Sequence, residues 1–178
     1  MTKRASPRAA AVTLMYDGWQ VWDGHYWPVR VGGDVVASIE FVQRSDAHAV
    51  EPDTPLGMEH VDAFRYRATA RVLDTMDAVI LDLGSFRALR WIRPDEGPGD
   101  FEQGATVSLD LNLGLNGWPG SSWTIRAAEL YGIERRWHIE RILRHTQGSD
   151  EVTEIDEAAM QTVDSSTQYC LLECSLLS

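Results

Sequence analysis

The sequence predicts a mainly β protein: a single small β-barrel, extended by an N-terminal meander, with one short helix near 123–131. Two runs carry that expectation. Val107-Ser-Leu109-Asp-Leu111-Asn-Leu113-Gly-Leu115-Asn116 alternates apolar and polar without interruption. That period of two suits a half-buried strand, whereas a helix would scatter the leucines around its circumference. From Phe64 to Val72, Phe64, Tyr66, Ala68, Ala70 and Val72 share one face, and Arg65, Arg67, Thr69 and Arg71 share the other. A third observation is the turn chemistry. Asp17-Gly18, Asp23-Gly24 and Gly32-Gly33 punctuate the first third of the chain, and such pairs supply the positive φ angles of tight hairpins.

Taken in order, residues 1–10 read as a flexible arm, 11–146 as one β domain and 147–178 as an acidic C-terminal tail. Within the domain, 11–44 reads as a meander: strands at Val12–Tyr16, Trp19–Trp22, His25–Val31 and Val35–Val42. Pro28 lacks an amide donor, which places its strand at an edge or a bulge. Residues 45–61 read as a connecting loop. The barrel follows over 62–146, with strands at 64–73, 78–83, 86–92 and 106–115, and a Pro- and Gly-rich loop at 94–104. Gly117-Trp-Pro-Gly120 interrupts the chain; Ser121 or Ser122 then caps a helix over 123–131 that Gly132 ends. For 133–146 the strand reading, with Trp137, Ile139 and Leu143 on one face, is preferred to a helix.

Five strands in this order, with a long loop between the third and fourth, resemble an OB-fold barrel. Tyr66-Arg-Ala-Thr-Ala-Arg-Val-Leu73, Ala78-Val-Ile-Leu-Asp-Leu-Gly84 and Phe86-Arg-Ala-Leu-Arg-Trp91 are also similar to a type of bacterial domain with such a barrel. The resemblance covers about 64–146 and rests on strand rhythm and turns. It departs from the OB pattern in having no helix between the third and fourth strands. It implies a fold and leaves function open, because OB barrels host oligonucleotides, sugars and proteins alike.

Charge narrows the field. The chain carries a formal net charge of −11, and residues 149–178 hold seven acids and no Lys or Arg. A negative body repels phosphate backbones, which disfavours nucleic acid and anionic membrane as partners. The apolar run Ala9–Met15 after Lys3, Arg4 and Arg8 is short for a signal peptide and Asp17 follows at once, so a cytoplasmic protein is expected. No run approaches the ~18–20 apolar residues of a membrane helix. Cys170 and Cys174 fall outside the expected barrel and set no disulfide framework.

Two constellations stand out as candidate sites. Arg65, Arg67, Arg71, Arg87 and Arg90, with Trp91, form a candidate binding face on which bases could stack; the bland reading pairs these arginines with Asp82 and Asp110 on adjacent strands. Tyr16, Trp19, Trp22, Tyr26 and Trp27 form a candidate aromatic cluster, either a ligand platform or ordinary sheet packing. Asp110-Leu-Asn112-Leu-Gly114 superficially resembles the start of a calcium loop but lacks the closing glutamate, and Asp95, Glu96, Asp100 and Glu102 suit solvation better than an ion. His25, His60 and His138 lie in no catalytic motif, and no cofactor is expected. The expectation is therefore a non-enzymatic binding or accessory protein, of immunity or adaptor type, that engages a basic protein partner. Two alternatives stand beside it: single-stranded nucleic acid on the arginine face, and an enzyme or sugar-binding module with a motif-poor site.

Overall fold

The computed structural model describes residues 11–26, 28–93 and 95–177; the expected arm 1–10 lies outside them. The chain opens with β1 (Ala11–Asp17), α1 (Gly18–Trp22), β2 (Val29–Arg30), β3 (Asp34–Gln43), β4 (His48–Ala49) and β5 (Gly57–Asp62). It continues with β6 (Arg65–Asp74), β7 (Ala78–Asp82), β8 (Arg87–Trp91), β9 (Thr106–Leu115) and α2 (Ser122–Tyr131). It closes with β10 (Glu134–Thr146), β11 (Val152–Ile155), β12 (Glu157–Ala158) and β13 (Gln168–Leu176). The protein is mainly β, as its patterning requires, with only two short helices among the described residues.

Two compact units divide the described residues: one drawn from 11–36 and 136–177, the other from 37–135. In the second unit the strands close on themselves into a β-barrel ring. β3 pairs antiparallel with β9, β9 with β6, β6 with β7 and β7 with β8, and β8 returns to β3 in parallel. Register fixes what lies inside. Tyr66 faces Leu111, Ala68 faces Leu109 and Ala70 faces Val107, so these apolar members of the two alternating runs are buried together. Leu113, Val79 and Leu81 join them in the core. The segment 45–61, expected to be a loop, contributes the short edge pairings of β4 on β9 and β5 on β6.

The ring takes its fifth strand from β3, not from 133–146. That later segment is a strand, as preferred, but from Trp137 onward it pairs with β13 and β11 in the first unit. There β13 lies between β1 and β10, and the acidic C-terminal segment is thus no separate tail. The physical reason is local. Cys170, Leu171 and Leu172 are consecutive buried residues of an interior strand, and a strand covered on both faces shows a continuous apolar run in place of alternation. The seven acids elsewhere in 149–178 mask that run in the segment's average.

The meander also needs correction. Trp19–Trp22, read as a strand, is α1, where the Asp17 N–H donates to Gln20 Oε1 at 2.9 Å and so begins a helical turn. Gly18 serves close approach: a Cβ there would sit 2.5 Å from the Gln168 carbonyl oxygen and 2.6 Å from that of Asp164. The strand expected over His25–Val31 shrinks to β2, paired with β12. Helix α2 matches its reading: Ser121 Oγ accepts the Thr124 N–H at 3.2 Å, and Gly132 closes the helix at φ 55°.

Candidate functional site: a tryptophan-lined cleft

The arginine face of the second unit is occupied by its own neighbours. Arg65 and Arg67 both reach Asp110, at 3.6 and 3.3 Å. Arg71 donates to the Pro52 carbonyl at 2.7 Å. Arg87 pairs with Asp82 at 3.6 Å and donates to the Tyr131 carbonyl. Arg90 donates to Gln43 Oε1 (3.2 Å) and the Pro98 carbonyl (3.0 Å), and its guanidinium stands 5.2 Å from the Phe101 ring centroid. These are cross-strand charge pairs and loop fasteners.

In the first unit, the aromatic residues from 16 to 26 make internal contacts, although Trp19 and Trp22 stay partly exposed. Tyr16 is fully buried, its hydroxyl donates to the His25 carbonyl, and burial pushes its phenol pKa well up. Trp19 packs edge-on against His25 with centroids 5.8 Å apart, and Trp22 Nε1 donates to the Val163 carbonyl at 2.7 Å. Tyr26 adopts the left-handed region at φ 61°. Trp27 lies outside the described residues. Cys170 is buried, which pushes its thiol up to about 12, and burial raises the Cys174 thiol too.

The histidines are spread out. His60 Nε2 sits 2.8 Å from the Ala63 carbonyl oxygen, and His138 Nδ1 sits 2.8 Å from Asp34 Oδ1. Among the described residues, no three His, Cys, Asp or Glu side chains converge as a metal-binding group. No described helix is long and apolar enough to cross a membrane.

A different surface of the second unit remains open. Ala78, Ile80 and Leu89 of the β7–β8 hairpin pack with Ala127 and Ile133, which seats α2 against the barrel. The other side of α2 turns Trp123, Ile125 and Leu130 to solvent. Beside them stand Met76 (79 % exposed) and Trp118 (60 %). Large apolar groups gathered at one place mark a contact surface better than the same groups scattered singly.

Two adjoining cavities run along this surface, of about 330 and 580 Å³, and Met76, Asp77, Trp91 and Trp123 line both. Their sizes fall within the range of small-ligand and peptide pockets. Tyr131 and Arg126 border the first; Trp118, Arg93 and Glu96 border the second.

The cleft is held from beneath by Asn116, which is fully buried at the end of β9. Its Nδ2 donates to Ser38 Oγ (3.0 Å) and Thr124 Oγ1 (3.1 Å). Its Oδ1 accepts the Trp118 N–H (3.1 Å) and the Trp91 indole N–H (3.4 Å). Thr124 Oγ1 in turn donates to the Trp118 carbonyl at 2.7 Å. One amide therefore ties β3, β8, α2 and the Trp118 loop together, and a buried polar group so fully satisfied fixes geometry. The opposite wall is set by Asp74. Oδ1 accepts the N–H groups of Thr75 and Met76 (2.7 and 3.1 Å), and Oδ2 accepts the Tyr131 hydroxyl at 2.9 Å. That hydrogen bond is the main cause of a raised Tyr131 pKa.

No family model, curated protein or solved structure matches this chain. Its site must be read from its own geometry. Of the two candidate sites read from the sequence, only Trp91 lines the cleft; Glu96, weighed there as an ion ligand, borders its second cavity. Met76, Asp77, Trp118 and Trp123 were missed, although Trp118 and Trp123, flanking the Pro119-Gly120 turn at a helix start, carried a usable signal. Two tryptophans beside a turn and a first helical turn have little room to be buried.

Proposed function

We propose that this protein is a cytoplasmic binding protein that engages a protein partner through the tryptophan-lined cleft of its second unit. The observation that supports it most is the coincidence of two adjoining cavities with solvent-exposed Met76, Trp118 and Trp123. Aromatic residues and methionine are enriched where interfaces bury their energetic centres. The β-barrel ring of the second unit supports an OB-like reading, with β3 taking the place expected for 133–146. Nucleic acid on the arginine face is the weaker reading, since Asp110 and Asp82 already take Arg65, Arg67 and Arg87. The net charge of −11 works against it as well.

A random-peptide display selection on the full chain tests the proposal, with every enriched peptide re-measured on a Trp118→Ser/Trp123→Ser double variant. Loss of about thirtyfold in affinity, matching the ~2 kcal/mol of an interface anchor, is expected for the enriched peptides. Peptides that bind both proteins equally would place recognition elsewhere.

A further inference from the structure

The cleft carries an exposed carboxylate, Asp77, that borders both cavities. Asp77 sits in the β6–β7 turn, where its carbonyl oxygen accepts the Ile92 N–H at 3.2 Å. Its side chain is exposed and its carboxylate has no hydrogen-bond or ion-pair partner among the described residues. The other charged groups of the cleft are placed differently. Asp74 is committed through both oxygens to Thr75, Met76 and Tyr131. Glu96 pairs with Arg93 at 3.7 Å. Arg93 borders only the larger cavity and Arg126 only the smaller, whereas Asp77 borders both. The cleft thus joins an uncommitted carboxylate to two indoles, Trp91 and Trp123, and to the thioether of Met76.

Resting on the reading of this cleft as the partner-binding surface, we propose that Asp77, Trp91 and Trp123 receive a cationic side chain of the partner, an arginine or a lysine. The chemistry of each group favours it. Indole faces attract cations through their quadrupole. A carboxylate accepts two parallel N–H donors from a guanidinium, or one from an ammonium. The aliphatic stem of such a side chain covers apolar surface while its head stays polar, which suits Met76 at the rim. A neutral polar ligand such as a sugar would stack on the indoles but gain little from a full negative charge. Complementary charge extends outward, since the neighbouring loop carries Asp95, Glu96, Asp100 and Glu102 and no Lys or Arg between 95 and 104. It also agrees in sign with the net charge of the chain.

The test is a titration of the full-length 15N-labelled protein, following the indole N–H resonances of Trp91 and Trp123. The probes are N-acetyl-arginine amide, its neutral isostere N-acetyl-citrulline amide, and methyl glucoside. The arginine probe should move both resonances with an affinity about fivefold above that of the citrulline probe. Asp77→Asn, at an exposed position and nearly isosteric, should abolish that preference. Trp123→Ser should weaken both amino-acid probes. Equal binding of arginine and citrulline probes overturns the assignment, as does a preference that survives in Asp77→Asn or a response to the glucoside alone. If the cation assignment alone is wrong, display-selected peptides still lose affinity in the tryptophan double variant. If the cleft itself is wrong, they do not, and the probes leave both indoles unmoved.

Discussion

The arginine row of β6 and β8 and the tryptophan cleft beside α2 belong to the same unit, and both present conspicuous side chains to solvent, yet the fold treats them in opposite ways. Each arginine of the row is answered from within: Asp110 serves Arg65 and Arg67, Asp82 serves Arg87, and main-chain carbonyls serve Arg71 and Arg90. Around the cleft, Met76, Trp118 and Trp123 are left uncovered, and Asp77 has no partner among the described residues. Exposed charge is cheap and easily neutralised by a neighbouring strand, so it says little about function. Exposed aromatic surface is costly to keep in water, and two cavities held open on a buried polar scaffold need a reason. Conspicuous residues are thus a poor guide until their partners are known.

The largest effect should come from beneath the arginine row. Leu111 is fully buried and faces Tyr66 across the β6–β9 pairing. Leu111→Ala should cost about 2–5 kcal/mol in urea unfolding, because the barrel closes only partly around the cavity left behind. Next is Asn116→Ala, which strips partners from Ser38, Thr124 and Trp91 and should cost about 1–3 kcal/mol. It should also weaken binding of a cleft ligand although every tryptophan is retained. That joint loss would separate a scaffold that positions the cleft from one that merely stabilises it.

Asp110→Asn should cost no more than about 1 kcal/mol, the ordinary worth of an exposed ion pair. Its sharper consequence is electrostatic. With Arg65 and Arg67 released, the variant should be held longer than wild type on heparin at low salt. Equal retention would mean that Asp110 does not neutralise the row. The smallest effect concerns Tyr131. Its hydrogen bond to Asp74 raises its pKa above the ordinary 10.0, so the folded state holds that proton more tightly than the unfolded chain. The resulting stability is complete below the unfolded value and fades as pH rises through the folded one, an alkaline effect only. A phenol 13C titration should show Asp74→Asn returning Tyr131 toward its ordinary value.

Strands that expose one face were plain in the sequence. The runs 64–72 and 107–115 alternate because water covers one side, and their register follows from which side is apolar. The bland reading of the arginines was legible for the same reason, since Asp82 and Asp110 fall opposite them. Helix α1 was not: Trp19-Gln-Val21-Trp22 is too short to show a helical period, and four residues cannot distinguish a period of 2 from 3.6. Strand β13 hid because Cys170, Leu171 and Leu172 are buried in succession, so its core does not alternate. The cleft was harder still. Met76, Trp91, Trp118 and Trp123 meet only through the β7–β8 hairpin and the seating of α2, and Asn116 reads as one more outward polar residue in an alternating run until its burial is seen.

Amide hydrogen exchange on the full-length protein, with and without a saturating display-selected peptide, puts the cleft and the arginine row in direct competition. Recognition at the cleft requires new protection at 74–77, 91–93 and 117–126, with 65–71 unchanged. Protection confined to 65–71 and 86–90 would contradict it and return the function to the arginine row.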